Sequence, residues 1–387
     1  MRILLLLLGI AGAAGAQPGP IVVGVALPES GVLAAAASDY RKALLLWQDE
    51  INAAGGLLGR RVELRVRDDA SDAVRTGALY AQLIRDDKAD LLIGPFGSAA
   101  TLMAAAEAER ARRVLINGAG PSRVVHKRTS RYVFQTALPN TAYGTGVLEL
   151  ARGAGLGTVF VLARDDSASR EMAEATLDGA AKQGLKSAPI EVYGGALTDF
   201  AAQVKKAQAA GADAWIAFGE LRDTVEMLRT FRKLGYAPRL FFARKAAQPQ
   251  LIDRVGQDAE FSLAAMEYDA SFATPGNREF AAAFAAKWSA PPGPVAAAGY
   301  AAATVLAEGV RRAASLDQDK LRAEFSRMQI GTVLGPYKVD PASGAQIGAK
   351  PAVVQIQGGK PRVVWPQALS TAQPEPYPQW SERRVLK

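Results

Sequence analysis

Short apolar runs alternate with helical segments along most of this chain, and that rhythm leaves few folds open. IVVGVAL at 21–27 is a continuous apolar run closed by Pro28, the pattern of a strand buried on both faces. Tyr40, Leu44, Trp47 and Ile51 then recur at helical spacing, with Ser38 as the expected N-cap and Gly55 and Gly56 as the stop. RVELRVR at 61–67 alternates Val62, Leu64 and Val66 with charged residues, as an edge or half-buried strand does. A helix over 72–87 leads to DLLIGP at 90–95, and another leads to VLIN at 114–117. Strands separated by helices cannot pair as hairpins, so the sheet is expected to be parallel.

The rhythm restarts after FQTALPN at 134–140. Strands are expected at 158–162, 190–193, 213–218, 240–243 and 261–266, with helices between them, one over 198–210 capped by Thr198. Helices over 277–328, broken by PPGP at 291–294, precede a β-rich close through GPYKVD, AVVQIQGGK and RVVWP. From Gln367 the tail is expected to be an extended appendage. At 387 residues the chain exceeds what one core usually spans, so two α/β units are expected.

The N-terminus, MRILLLLLGIAGAAGAQPGP, has a basic residue, an apolar run and a small-x-small site. Residues 1–16 therefore read as a secretory signal peptide, and the cell envelope, outside the cytoplasm, is the expected address. No later segment approaches twenty uninterrupted apolar residues. Cysteine is absent, which excludes disulfides, thiolate metal sites, a cysteine nucleophile and a lipid-bearing cysteine. The net charge is +8, but Lys and Arg are scattered and not interleaved with aromatics, which argues against nucleic acid as a partner.

Candidates for chemistry are few. The one histidine, His126, lies in the basic loop HKRTSR without partners for a triad or a metal, and is expected to be solvated. GAGLG at 153–157 precedes a strand, whereas a dinucleotide loop follows one, so it reads as a helix-to-strand turn. Asp68, Asp69 and Asp72 in RDDASD read as a strand end and a helix cap. No catalytic residue, metal or cofactor is expected.

The informative loops leave the carboxyl ends of the strands, where open parallel sheets collect ligands. They are PESG with Ser30, GPFGS with Phe96 and Ser98, and NGAGPS with Asn117, Ala119, Gly120 and Ser122. Their small residues let a ligand approach backbone N–H groups at helix N-termini. In the second unit LFFARKAAQ carries Arg244 and Lys245 off a strand end, with no acid close in sequence. Successive side chains diverge, so one is expected to point in and one out.

The blocks IVVGVALPESG, EINAAGGLLGRRVELRVRDDASD, DLLIGPFGSA, YVFQTAL, TDFAAQVKKAQAAGADAWIAFG and LRTFRKLGY, in this order, resemble the leucine/isoleucine/valine-binding proteins of ABC importers. The resemblance covers 21–366 and implies α/β architecture: two Rossmann-like lobes with parallel sheets joined by three hinge crossovers, the type I periplasmic binding fold. It implies crossovers near Ala137, Tyr268 and Gly331, an N-terminal lobe of 17–136 and 269–330, a C-terminal lobe of 137–268 and 331–366, and a tail of 367–387. It places ligand between the lobes, with its carboxylate on Ser98 and on the loop where Pro121 replaces the usual threonine and Ser122 is a substitute. The acid that meets an ammonium in this family falls on Lys245 or Arg244, and two pocket tyrosines fall on Ala36 and Ala168. Asp166, Ser167, Glu220 and Arg222 lie on the same rim.

These features point to an extracytoplasmic solute-binding protein, a monomer that takes an amino acid or an organic or aromatic acid to ABC permease subunits in the inner membrane. A ligand-sensing module for a membrane receptor is the alternative. An envelope enzyme would have to rest on Glu220 with Asp166 as its acid/base pair, and is not expected.

Overall fold

The computed structural model describes residues 19–126 and 130–383. Residues 1–16, expected to be a signal peptide, and part of the basic loop after His126 lie outside the described residues. No helix among the described residues is long and apolar enough to cross a membrane.

The first unit runs β1 (Ile21–Leu27), α1 (Ala34–Ala53), β2 (Val62–Asp68), α2 (Ala73–Arg85), β3 (Leu91–Ile93), α3 (Ser98–Arg110), β4 (Leu115–Asn117) and β5 (Val133–Gln135). Its five strands lie in the order β2-β1-β3-β4-β5, all parallel, with β2 at an edge as its alternating pattern requires.

The second unit follows as α4 (Thr145–Gly153), β6 (Thr158–Arg164), α5 (Ser167–Lys182), β7 (Lys186–Ser187), β8 (Glu191–Tyr193) and α6 (Ala201–Ala209). It continues with β9 (Ala214–Phe218), α7 (Leu221–Leu234), β10 (Leu240–Ala243), α8 (Pro249–Val255) and β11 (Leu263–Met266). The chain then returns to the first unit through α9 (Asn277–Trp288), α10 (Pro294–Ala313), α11 (Gln318–Arg327) and the hairpin β12 (Ile330–Thr332) with β13 (Gly335–Tyr337). It ends in the second sheet with β14 (Ala352–Gln357) and β15 (Lys360–Trp365), antiparallel at the edge next to β11. In the middle of that sheet Trp215 of β9 is fully buried, edge-on to Phe231 at 4.9 Å.

Helix α10 closes the first core over β3 and β4. It approaches α1 closely because Gly299 carries no side chain: a Cβ there would stand 2.8 Å from the carbonyl of Tyr40.

Four expectations are corrected. Helix α1 starts a turn before Ser38, because the run of alanines from Ala34 has high helix propensity; its N-cap is Leu33, without a side-chain bond. Helix α6 starts at Ala201, and Asp199, not Thr198, accepts its first N–H. Tyr337 and Val339 pack in the first core, so the chain enters the second sheet at β14 and not near Gly331. The tail is docked: Tyr377 is buried edge-on to Phe241 of β10 at 5.7 Å, and Trp380 Nε1 donates to the carbonyl of Tyr236 at 2.7 Å. Its aromatic residues bury apolar area that an extended appendage would leave in water.

Candidate functional site

A cavity of about 270 Å³ lies where the carboxyl edges of the two sheets face each other. From the first unit it is lined by Tyr40, Phe96, Gly118, Ala119 and Pro121, and from the link between the units by Ala137, Leu138, Asn140 and Tyr143. The second side brings Ala168, Met172, Arg244 and Glu267, and the start of α10 brings Pro294, Val295 and Ala298, with Leu334 beside them. Most of this wall is apolar, and Tyr40 meets Phe96 edge-on at 6.5 Å.

The first-unit loops are fixed by their own bonds. Asn117 accepts the Gly120 N–H at 2.7 Å and donates to the Gly120 carbonyl at 2.8 Å, so the amide side chain folds the loop on itself. Gly118 passes so close to Tyr40 that a Cβ would stand 2.3 Å from the phenol oxygen. Ser98 Oγ accepts the Ser122 N–H at 3.1 Å, and Ser122 Oγ donates to Glu171 at 2.8 Å. Ser30 donates to Asp68 at 2.7 Å, which helps hold that carboxyl below its ordinary pKa.

On the second side, Glu220 is the N-cap of α7 in a capping box with Asp223, and Gly235 ends the helix in the left-handed region at φ 62°. Asp223 is buried and meets Arg164 at 3.2 Å, which ties the end of β6 to the start of α7. Arg244, carried off β10, donates to Glu220 at 2.9 Å. Its side chain is 16% exposed against 50% for Glu220, so the cation is the buried member of the pair. The Nε of Arg244 is buried without a partner. Burial lowers the pKa of Lys245, with Arg244 adding to the shift and Glu267 and Glu220 opposing it.

Tyr143 donates to Glu267 Oε1 at 2.5 Å. Burial first, and then the neighbouring Glu267 carboxylate, push the pKa of this phenol well up.

Of the residues expected at the site, Phe96, Ala119 and Arg244 line the cavity. Ser98, Asn117, Gly120 and Ser122 instead bond within or across the loops, and Ser30 sits on the exposed rim. Asp166 caps α5 by accepting from Ser169 at 2.8 Å, Ser167 is the first residue of that helix, and Lys245 is not among the lining residues. Glu220 and Asp166 bond to different partners and form no acid/base pair. Ala168 lines the cavity but Ala36 is exposed; Tyr40 and Tyr143 supply the aromatic hydroxyls. Arg244 and Lys245 do not lack acids, since Glu220 and Glu267 reach them from elsewhere in the chain.

His126 is also corrected. It is buried, with Nε2 at 2.9 Å from Asn117 Nδ2 and Nδ1 at 3.2 Å from the Ser343 carbonyl, an arrangement that suits a neutral ring protonated on Nδ1. Burial lowers its pKa to about 4. The expectation of solvation failed because the ring is covered by Ser343, more than two hundred residues away in sequence.

The periplasmic binding protein family model matches residues 20–360. The chain belongs to the periplasmic binding protein family. This periplasmic binding protein is 28% identical over 227 residues to an amino acid binding protein of Pseudomonas aeruginosa, a match covering 57% of this chain and 59% of that one. It superposes with a TM-score of 0.80 on a putative branched-chain amino acid ABC transporter protein from Rhodospirillum rubrum, at 22% identity over 89% of this chain and 99% of that one. A solute-binding protein from Rhodopseudomonas palustris, solved with 3,4-dihydroxybenzoic acid, matches with a TM-score of 0.68 at 22% identity over 88% of this chain and 95% of that one. The fold is therefore the type I periplasmic binding fold, and family and relatives are solute-binding proteins rather than enzymes.

Proposed function

We propose that this periplasmic binding protein takes a small ligand with an apolar body and a carboxylate into the cavity between its lobes, and delivers it to ABC permease subunits in the membrane. The lobes, one built on each large sheet, close on the ligand by bending at the three links between the sheets. Residues 1–16 act as the export signal in this reading.

The observation that carries the ligand class is Arg244: a mostly buried guanidinium on an apolar wall, with Glu220 bonded to one of its Nη atoms and its Nε unpartnered. A carboxylate presented to it makes a charge-assisted bond in a site with little water, while Tyr40, Phe96 and Met172 cover an aromatic or branched aliphatic body. The Rhodopseudomonas palustris protein solved with 3,4-dihydroxybenzoic acid is a relative in fold whose ligand has this chemistry.

A thermal-shift panel of branched-chain amino acids, benzoates and dicarboxylates tests the class. Apolar monocarboxylates are expected to raise the melting temperature; a panel in which only the dicarboxylates do so contradicts the reading.

A further inference from the structure

Glu171 carries a consequence that reaches past ligand class. It lies on α5 of the second unit and is 7% exposed. Its Oε2 accepts from Ser122 Oγ at 2.8 Å and from Asn140 Nδ2 at 3.2 Å, and its Oε1 accepts the Arg123 N–H at 2.6 Å. Ser122 and Arg123 belong to the loop after β4 of the first unit, and Asn140 to the link between the units. One buried carboxylate thus takes two donors from the first unit and a third from the link. One turn further along the same helix, Glu174 pairs with Arg123 at 2.5 Å, an exposed contact that adds little.

A hydroxyl and a backbone N–H at the start of a 3-10 turn are the donors an anion takes, and here the protein's own side chain fills them. Asn140, Pro121, Ala168 and Met172, the immediate neighbours of this contact, line the cavity. A second carboxylate brought to the Ser122 loop would meet Glu171 as a like charge.

We infer that Glu171 is a built-in carboxylate that occupies the anion-accepting loop of the first lobe, so that the acid group of a ligand is read by Arg244, and that the same contact latches the lobes together. The first half rests on the reading of the cavity as the ligand site; the latch does not.

The test uses the mature chain without ligand. Small-angle scattering of Glu171→Ala is expected to show a larger radius of gyration than the wild type, the open form rising about thirty-fold or more relative to the closed one. Sodium formate, small enough to fill the vacated place, is expected to restore compaction in Glu171→Ala, where sodium chloride at equal ionic strength does not. Adding Ser122→Ala to that variant is expected to blunt the rescue, which a merely structural loss would not predict. If Glu171→Ala fails to fold, Glu171→Gln is read instead by hydrogen exchange, with faster exchange at the Arg123 amide expected. Wild-type scattering in Glu171→Ala, unmoved by formate, or a wild-type exchange rate at the Arg123 amide in Glu171→Gln, overturns the latch. Unchanged affinity of Arg244→Ala for the monocarboxylate that gives the largest thermal shift would sink the ligand site while leaving these scattering results standing, so the two failures are separable.

Discussion

The phenol of Tyr143 donates to Glu267 across 2.5 Å, joining the first link between the sheets to the second on the wall of the cavity. The pair is 124 residues apart in sequence, and both groups face a mostly apolar space. Neither can lose the other without leaving a polar group poorly satisfied.

Tyr143→Phe is therefore expected to destabilise the protein by about 1–3 kcal/mol, the cost of leaving the half-buried Glu267 carboxylate without its donor. The raised pKa of Tyr143 sets a sign as well. Above about pH 10 the unfolded phenol loses its proton while the folded one keeps it, so stability is full below that pH and falls as pH rises past it. Urea unfolding between pH 8 and about pH 11 should show a shallower fall in Tyr143→Phe; parallel curves would contradict this.

His126 gives the opposite sign. Its folded pKa of about 4 lies below the ordinary imidazole value of 6.5, so the unfolded state binds a proton first as pH drops. Its contribution to stability is present above about pH 6.5 and is lost progressively towards pH 4, up to about 3 kcal/mol. Because the chain has one histidine, a single imidazole resonance reports it. A midpoint near 4 is expected by NMR, and one near 6.5 would return the ring to solvent.

The docked tail should contribute to the folding of the second lobe. Tyr377 is 3% exposed against Phe241, and Gln379 donates to the Ala237 carbonyl at 3.3 Å. Tyr377→Ala is expected to cost about 3–5 kcal/mol in urea unfolding, as other large-to-small core changes do. A change below about 0.5 kcal/mol would mean that the tail is dispensable for stability.

The α/β rhythm was legible because buried parallel strands must be apolar throughout and helices must show a 3.6-residue stripe, both local properties. IVVGVAL and LFFA could be placed as β1 and β10 for that reason. The cavity was only partly legible. Arg244 was found from its place at a strand end, but its partner Glu220 sits 24 residues earlier. Tyr143, Glu171 and Glu267 carry no local motif, since a link between lobes and the buried face of one helix turn acquire meaning only when the two units meet. Ser98, Asn117 and Ser122 were singled out as small polar residues in strand-end loops, and the same composition serves loops that bond to themselves.

Arg244 as the reader of the ligand's acid group is tested most directly by calorimetric titration of the wild type and Arg244→Ala with the monocarboxylate that gives the largest thermal shift. Losing one charge-assisted bond in a closed cleft should cost about 2–5 kcal/mol, a fall in affinity of roughly thirty-fold to several-thousand-fold, with the melting temperature of the free protein nearly unchanged. Equal affinities in the two proteins would contradict the account and return Arg244 to a structural pair with Glu220.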